Sequence, residues 1–90
     1  MKELKWFAEN YIESKEECKE LLIKAQIDYP FTIAELKEGC MELQKTSISN
    51  PSLIPHIKLI GDLCSIGVQA EIAGESIRKA ILKMKNKNEL

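Results

Sequence analysis

The 90-residue chain is poor in the residues that build sites for chemistry: it has one histidine, His56, one tryptophan, and 6% aromatics in all. A second histidine for a zinc pair is missing, as are a CxxC pair and any cluster of carboxylates at ligand spacing. Neither GxGxxG nor GxxxxGK[ST] occurs, so no phosphate-cradling loop is expected. The adjacent carboxylates of ESKEE, residues 13–17, lie on a charged face and do not form a general acid/base constellation. Catalytic, metal-binding and cofactor-binding residues are therefore not assigned, and the chain is not expected to be an enzyme. The three cysteines, Cys18, Cys40 and Cys64, are odd in number and widely spaced, which argues against a disulfide framework and suits a reducing compartment. They fall on or beside apolar stripes, where a free thiol behaves as a small hydrophobe. A Cys–His nucleophile pair is thus not expected, and His56 reads as an exposed or capping residue in a first helical turn. The start, MKELKWFAEN, has no apolar signal core, and no run approaches the ~18 apolar residues that span a bilayer. A cytoplasmic protein with no membrane contact is the expectation.

What the chain does hold is 44% apolar and 30% charged residues, rich in Glu, Lys, Leu, Ile and Ala, without the alternation of β-branched residues that marks strands. This composition predicts one all-α domain. The formal net charge is −1, so no overall field draws the chain to nucleic acid. The charge is uneven: residues 1–45 carry seven Lys against nine Glu and one Asp, and residues 46–90 carry six Lys and Arg against four Asp and Glu.

The spacing predicts a first helix over about 2–27, with Leu4, Phe7, Tyr11, Ser14, Cys18, Leu21 and Ala25 on one stripe. Pro30 stops it. In IDYPFTIAEL, Thr32 and Glu35 form a capping box, and Phe31 with Leu36 a hydrophobic staple. A second helix is expected from 33 to about 45, antiparallel to the first, with Ile33, Leu36, Cys40 and Leu43 inward. TSISNP forms the next loop, and a long third helix is expected over 52–85, broken only if Gly61–Asp62 ends one helix and caps another. The final KNKNEL is expected to fray. The architecture is thus a three-helix antiparallel bundle, or four helices if the chain breaks near Gly61, with a long C-terminal helix. Its centre should hold Phe7, Tyr11, Cys18, Leu21, Leu36, Cys40, Leu43, Ile60, Leu63, Ala70 and Ile77.

Glycine inside a helix costs about 0.5–1 kcal/mol relative to alanine, so Gly67 and Gly74 need a reason. Ile60, Leu63, Gly67, Ala70, Gly74, Ile77, Ile81 and Met84 follow at alternating spacings of three and four, a heptad seam with a small-residue centre. Val68 and Ile72 form a second stripe with Cys64. Such a seam admits a close neighbour, either the aromatic first helix of the same chain or a second subunit. The expected interface is Gly67, Val68, Ala70, Ile72, Gly74, Ile77 and Ile81, in a helical protein–protein interaction module of the adaptor, chaperone or assembly-subunit kind. Its partner is a helix of another protein or a second copy of this chain, the latter giving a homo-oligomer. On this reading Gly74→Leu disrupts assembly and spares helix content. The alternative is a nucleic-acid accessory protein that uses the basic end Arg78, Lys79, Lys83, Lys85 and Lys87 on phosphates. No aromatics or polar base-readers interleave these cations, and complementing the helix dipole explains them as well, so nucleic acid is not the expected partner.

SNPSLI followed by a helix resembles the C-terminal half of needle and rod subunits of type III secretion. The capped PFTIAEL has no place in that pattern, so the family is not assigned. Small helical chaperones and immunity proteins of bacteria and phages share the general build without a matching motif.

Overall fold

A computed structural model describes residues 1–46 and 49–88. It is all-helical, with five helices: α1 Leu4–Asn10, α2 Lys15–Asp28, α3 Ile33–Gln44, α4 Leu53–Ser65 and α5 Ala70–Asn88. Residues 47 and 48 of the expected TSISNP loop, and residues 89 and 90 of KNKNEL, lie outside the described residues. Helix α5 continues to Asn88, into the segment expected to fray.

Two expected helices are each divided, and both divisions have a local cause. Residues 2–27 do not form one helix, because Ser14 and Glu17 make a capping box. The Ser14 hydroxyl accepts from the Glu17 amide at 3.2 Å, and the Glu17 carboxylate accepts from the Ser14 amide at 3.0 Å. Those two bonds hold the Glu17 carboxyl below its usual range. The segment between the helices is paid back from elsewhere in the fold. The Ile12 amide donates to the Pro51 carbonyl at 2.9 Å, and the Gln44 side chain donates to the Asn10 carbonyl at 2.8 Å. Residues 52–85 divide as well, and the division falls at Gly67, not at Gly61. Gly67 has φ +97°, the left-handed region that glycine enters without penalty. Its amide donates to Cys64 and the Val68 amide to Leu63, the paired bonds of a Schellman ending. Gly61 stays inside α4, and there it is glycine because Tyr29 occupies the space where a Cβ would stand.

The expected capping box before α3 is present. Thr32 Oγ1 accepts from the Glu35 amide at 3.1 Å, and Glu35 Oε1 accepts from the Thr32 amide at 2.8 Å. Phe31 and Leu36, the staple pair, are both buried.

Helix α3 is the centre of the packing. Trp6 of α1 stands 5.8 Å from the Lys37 ammonium, and the Gln44 side chain donates to the Asn10 carbonyl, so long side chains of α3 reach α1. On another side of α3, Gly39 approaches Ala70 and Gly74, and Glu42 faces Arg78 at 3.8 Å. The α3–α5 pairs rise in the same order along both helices, so α3 and α5 run in the same direction. With α4 between them in the chain, a shared direction of α3 and α5 is what an up-and-down succession of helices gives its alternate members. One core joins all five helices, including Phe7, Tyr11, Cys18, Leu22, Leu36, Cys40, Leu43, Leu53, Ile60, Ala70 and Ala73. Leu21, Leu63 and Ile77, expected at its centre, pack on its edge. No helix among the described residues is long and apolar enough to cross a membrane.

Candidate interaction surface

Small residues let α5 seat on α3. Gly39 and Gly74 meet backbone to backbone, and a Cβ on Gly39 would stand 2.5 Å from the Ala70 carbonyl oxygen. The glycine face therefore has an internal neighbour, and that neighbour is α3, not the aromatic first helix. Ala70 and Gly74 of the expected interface are buried in this contact. Gly67 is exposed in the turn before α5, and Val68 is half-buried against the core. Ile72 is 49% exposed, on the side of α5 away from Ala73 and Gly74. The seven residues expected to share one surface are thus distributed over three environments.

The distal part of the seam is different. The stripe Ala70, Gly74, Ile77, Ile81, Met84 keeps its phase along α5, but α3 ends at Gln44, roughly level with Arg78. Beyond that point the apolar stripe continues with less to cover it: Ile77 is half-buried, Ile81 is 40% exposed and Met84 65%. About ten residues of α5 extend there, ~15 Å of helix. Leu82 is exposed on the flank of the same segment.

The basic residues separate along the same line. Arg78 is mostly covered and faces Glu42, which Lys45 also contacts at 2.6 Å. Lys79 pairs with Glu75 at 2.8 Å, one turn back on α5, and that ammonium holds the Glu75 carboxyl below its usual range. Lys83 and Lys85 are exposed on the extending segment. The side chain of Lys87 lies outside the described residues.

A second surface lies between α2 and α4. Two adjoining hollows, of about 210 and 300 Å³, share Leu21, Lys24 and Ile54. Their apolar lining is Leu21, Ala25, Tyr29, Ile54 and Ile57. Around it stand Glu13, Glu17, Glu20 and Asp28, against Lys24 and Lys58. Ile54 is 56% exposed although it belongs to the first turn of α4. The sequence reading did not find this groove. The stripe keeps its phase through α2, with Cys18, Leu22 and Ala25 buried, and Leu21 stands at its edge, partly packed on the core and partly lining the groove.

The polar groups of the interior are committed to holding the helices together. Glu13 reaches across to the start of α4, accepting from the Leu53 amide at 2.8 Å and the Ser52 hydroxyl at 2.7 Å. A carboxylate there satisfies orphan amides and meets the positive end of the helix dipole. One turn on, His56 Nδ1 is 2.6 Å from the Tyr11 hydroxyl. Burial pushes the Tyr11 pKa upward, so the phenol keeps its proton; it donates to Nδ1 when the ring hydrogen is on Nε2 and accepts when it is on Nδ1. Burial lowers the His56 pKa, while the nearby Glu13 charge acts the other way. His56 is thus a half-buried bonding partner in the first turns of α4, neither exposed nor a cap.

All three cysteines are buried. Desolvation pushes the Cys40 thiol up to about 12 and also raises Cys18 and Cys64, so each is held as the unreactive thiol. Among the described residues, no group of three or more His, Cys, Asp or Glu is placed to hold a metal ion.

Compared with protein-family models, curated proteins and solved structures, the chain matches none. The likeness of SNPSLI and its following helix to needle and rod subunits gains no support from these comparisons.

Proposed function

We propose that this chain is a small helical protein–protein interaction module whose docking element is the distal part of α5. The observation that supports this reading is the stripe that outruns its internal partner. Ile77, Ile81 and Met84 occur at i, i+4 and i+7, the anchor spacing of a helix that lies in an apolar groove. Ile77 still packs on the edge of the core, but Ile81 and Met84 beyond it leave much of their apolar surface in water. The expected surface therefore moves along the seam, from Gly67, Ala70 and Gly74 to Ile77, Ile81 and Met84. Lys85 on the flank of these anchors favours an acidic rim on the partner.

The test compares the native chain with Met84→Asp, a change at an exposed position that leaves the core untouched. Circular dichroism checks that both fold. Sedimentation velocity then measures self-association, and immobilised chain is offered cell extract to measure retained proteins. The reading expects the native chain to associate with itself or retain a partner, and Met84→Asp to lose that association. If native and variant behave alike in both assays, α5 is not a docking element.

A further inference from the structure

The chain carries both halves of one contact. Residues 76–88 contain Arg78 and four lysines without a single acidic residue, and their apolar stripe ends in Ile81 and Met84. The groove between α2 and α4 presents the complement, an apolar floor with four carboxylates and two ammonium groups around it. One of those ammoniums, Lys58, is 3.4 Å from Asp62 on its own helix. Resting on the reading of distal α5 as a docking element, we infer that its partner is the α2–α4 groove of a second copy of this chain.

Three observations select this occupant. Two distal α5 segments cannot pair with each other at low cost, because each brings only positive charge to the contact. The groove is wide open and lies between two helices, which suits side chains projecting from a third helix better than an enclosed small molecule. Within one chain the two halves do not meet: α5 packs on α3 and α4, and the groove belongs to α2 and α4. Joining them therefore takes two copies. Ile81 and Met84 enter beside Ile54 and Leu21, while Lys85, on the flank of that stripe, lies along Glu17 and Glu20.

The contact is heterologous, the distal helix of one copy against the groove of the next. It closes into a ring or a reciprocal pair if the rotation permits and otherwise extends as a chain. Two or three anchors bury less than the roughly 1,200 Å² of a stable complex, so association is weak and grows with concentration. Opposite charges on exposed side chains make it weaken as salt is raised.

A complementation experiment tests this. Light scattering on a gel-filtration column measures the mass of the native full chain, of Met84→Asp, of Ile54→Lys, and of an equimolar mixture of the two variants, each up to about 1 mM at low salt. Circular dichroism confirms that every variant is folded. The native mass should rise above that of a monomer with concentration, and each variant alone should associate at least about tenfold more weakly. The mixture should regain association and stop at two copies, because one variant keeps an intact groove and the other an intact distal helix. If Met84→Asp is monomeric while Ile54→Lys assembles like the native chain, the groove is not the acceptor and this inference is overturned, although the docking role of α5 stands. A mixture that stays monomeric overturns it in the same way. A native chain that is monomeric throughout also overturns it, and leaves the docking role to be decided by retention of a foreign partner. Native-like assembly of Met84→Asp removes both readings.

Discussion

Gly74 of α5 rests directly on the backbone of Gly39 of α3. A Cβ built on Gly74 would lie 2.7 Å from the carbonyl carbon of Gly39 and 2.8 Å from its α-carbon. Two glycines on two helices thus make one crossing point, and the cost each incurs in helix propensity is offset by the burial of Ala70 and Ala73 beside it.

The close approach makes both positions intolerant of the smallest side chain. Gly74→Ala and Gly39→Ala should each lower stability by about 1–3 kcal/mol, since backbone must move to admit a methyl group. The gain in helix propensity, at most about 1 kcal/mol, does not offset this. Urea denaturation measures the change. Gly74→Leu, expected from the sequence to spare helix content and disrupt assembly, should instead damage the packing of α5 on α3. A stabilised Gly74→Ala variant would show that the two helices do not cross there.

Much of this architecture was legible in the chain, and the failures share one physical origin. The Thr32–Glu35 box and Pro30 located the start of α3 because both signals are local and act within one turn. The seam from Ala70 to Met84 was legible because a single helix carries it. The Ser14–Glu17 box is equally local, yet its residues lie within a charged run whose three- and four-residue spacing is compatible with a continuous helix. Gly67 was read as a helix interior for the same reason: periodicity reports which residues share a face and does not report φ. The role of Gly39 could not be read at all. It sits in mid-helix, 35 positions before Gly74, and only the packing of α3 on α5 makes it the partner. The α2–α4 groove was hidden likewise, since it exists only where α2 and α4, far apart in the chain, come side by side.

Gly67 separates backbone cost from packing cost. Nothing lies within 4 Å of the position a Cβ would take, so a side chain there meets no clash. Its φ of +97° remains, and Gly67→Ala should destabilise by about 1 kcal/mol through the backbone alone. Gly67→Asn should cost less, because asparagine tolerates the left-handed region better than alanine. Thermal melts of the two variants give the order directly, and equal costs would contradict the Schellman ending of α4.

Glu13 acts as a cap supplied from outside its helix. Replacing it with Ala removes the acceptor for the Leu53 amide and the Ser52 hydroxyl together. The expected loss is about 1–2 kcal/mol, as for removal of a good N-cap. Glu13→Gln keeps one carbonyl oxygen and gives up the charge, so it should lie between the native chain and Glu13→Ala. Amide hydrogen exchange localises the effect: faster exchange should be concentrated in the first turn of α4. Unchanged exchange there would show that Glu13 is not the cap.

His56 makes stability depend on pH in a stated direction. Burial lowers its folded-state pKa below the ordinary value of 6.5. The unfolded chain therefore binds a proton at a higher pH than the folded chain does, and protons favour unfolding between the two values. Stability should be undiminished by this group above about 6.5, fall as the pH drops through that value, and level off below the folded-state pKa. Protonation reverses the bond to Tyr11, since Nδ1 then carries a hydrogen and donates it to the phenol oxygen. In Tyr11→Phe the hydroxyl is gone and Nδ1 lacks its partner, a loss of about 1 kcal/mol at neutral pH. That loss should persist once His56 is protonated, because the phenol oxygen then accepts from the charged ring. Urea midpoints of the native chain, Tyr11→Phe and His56→Gln at about pH 7.5 and about pH 5.5 separate these effects. His56→Gln should flatten the slope across that interval, and a native slope that survives the substitution would assign the pH dependence to another group.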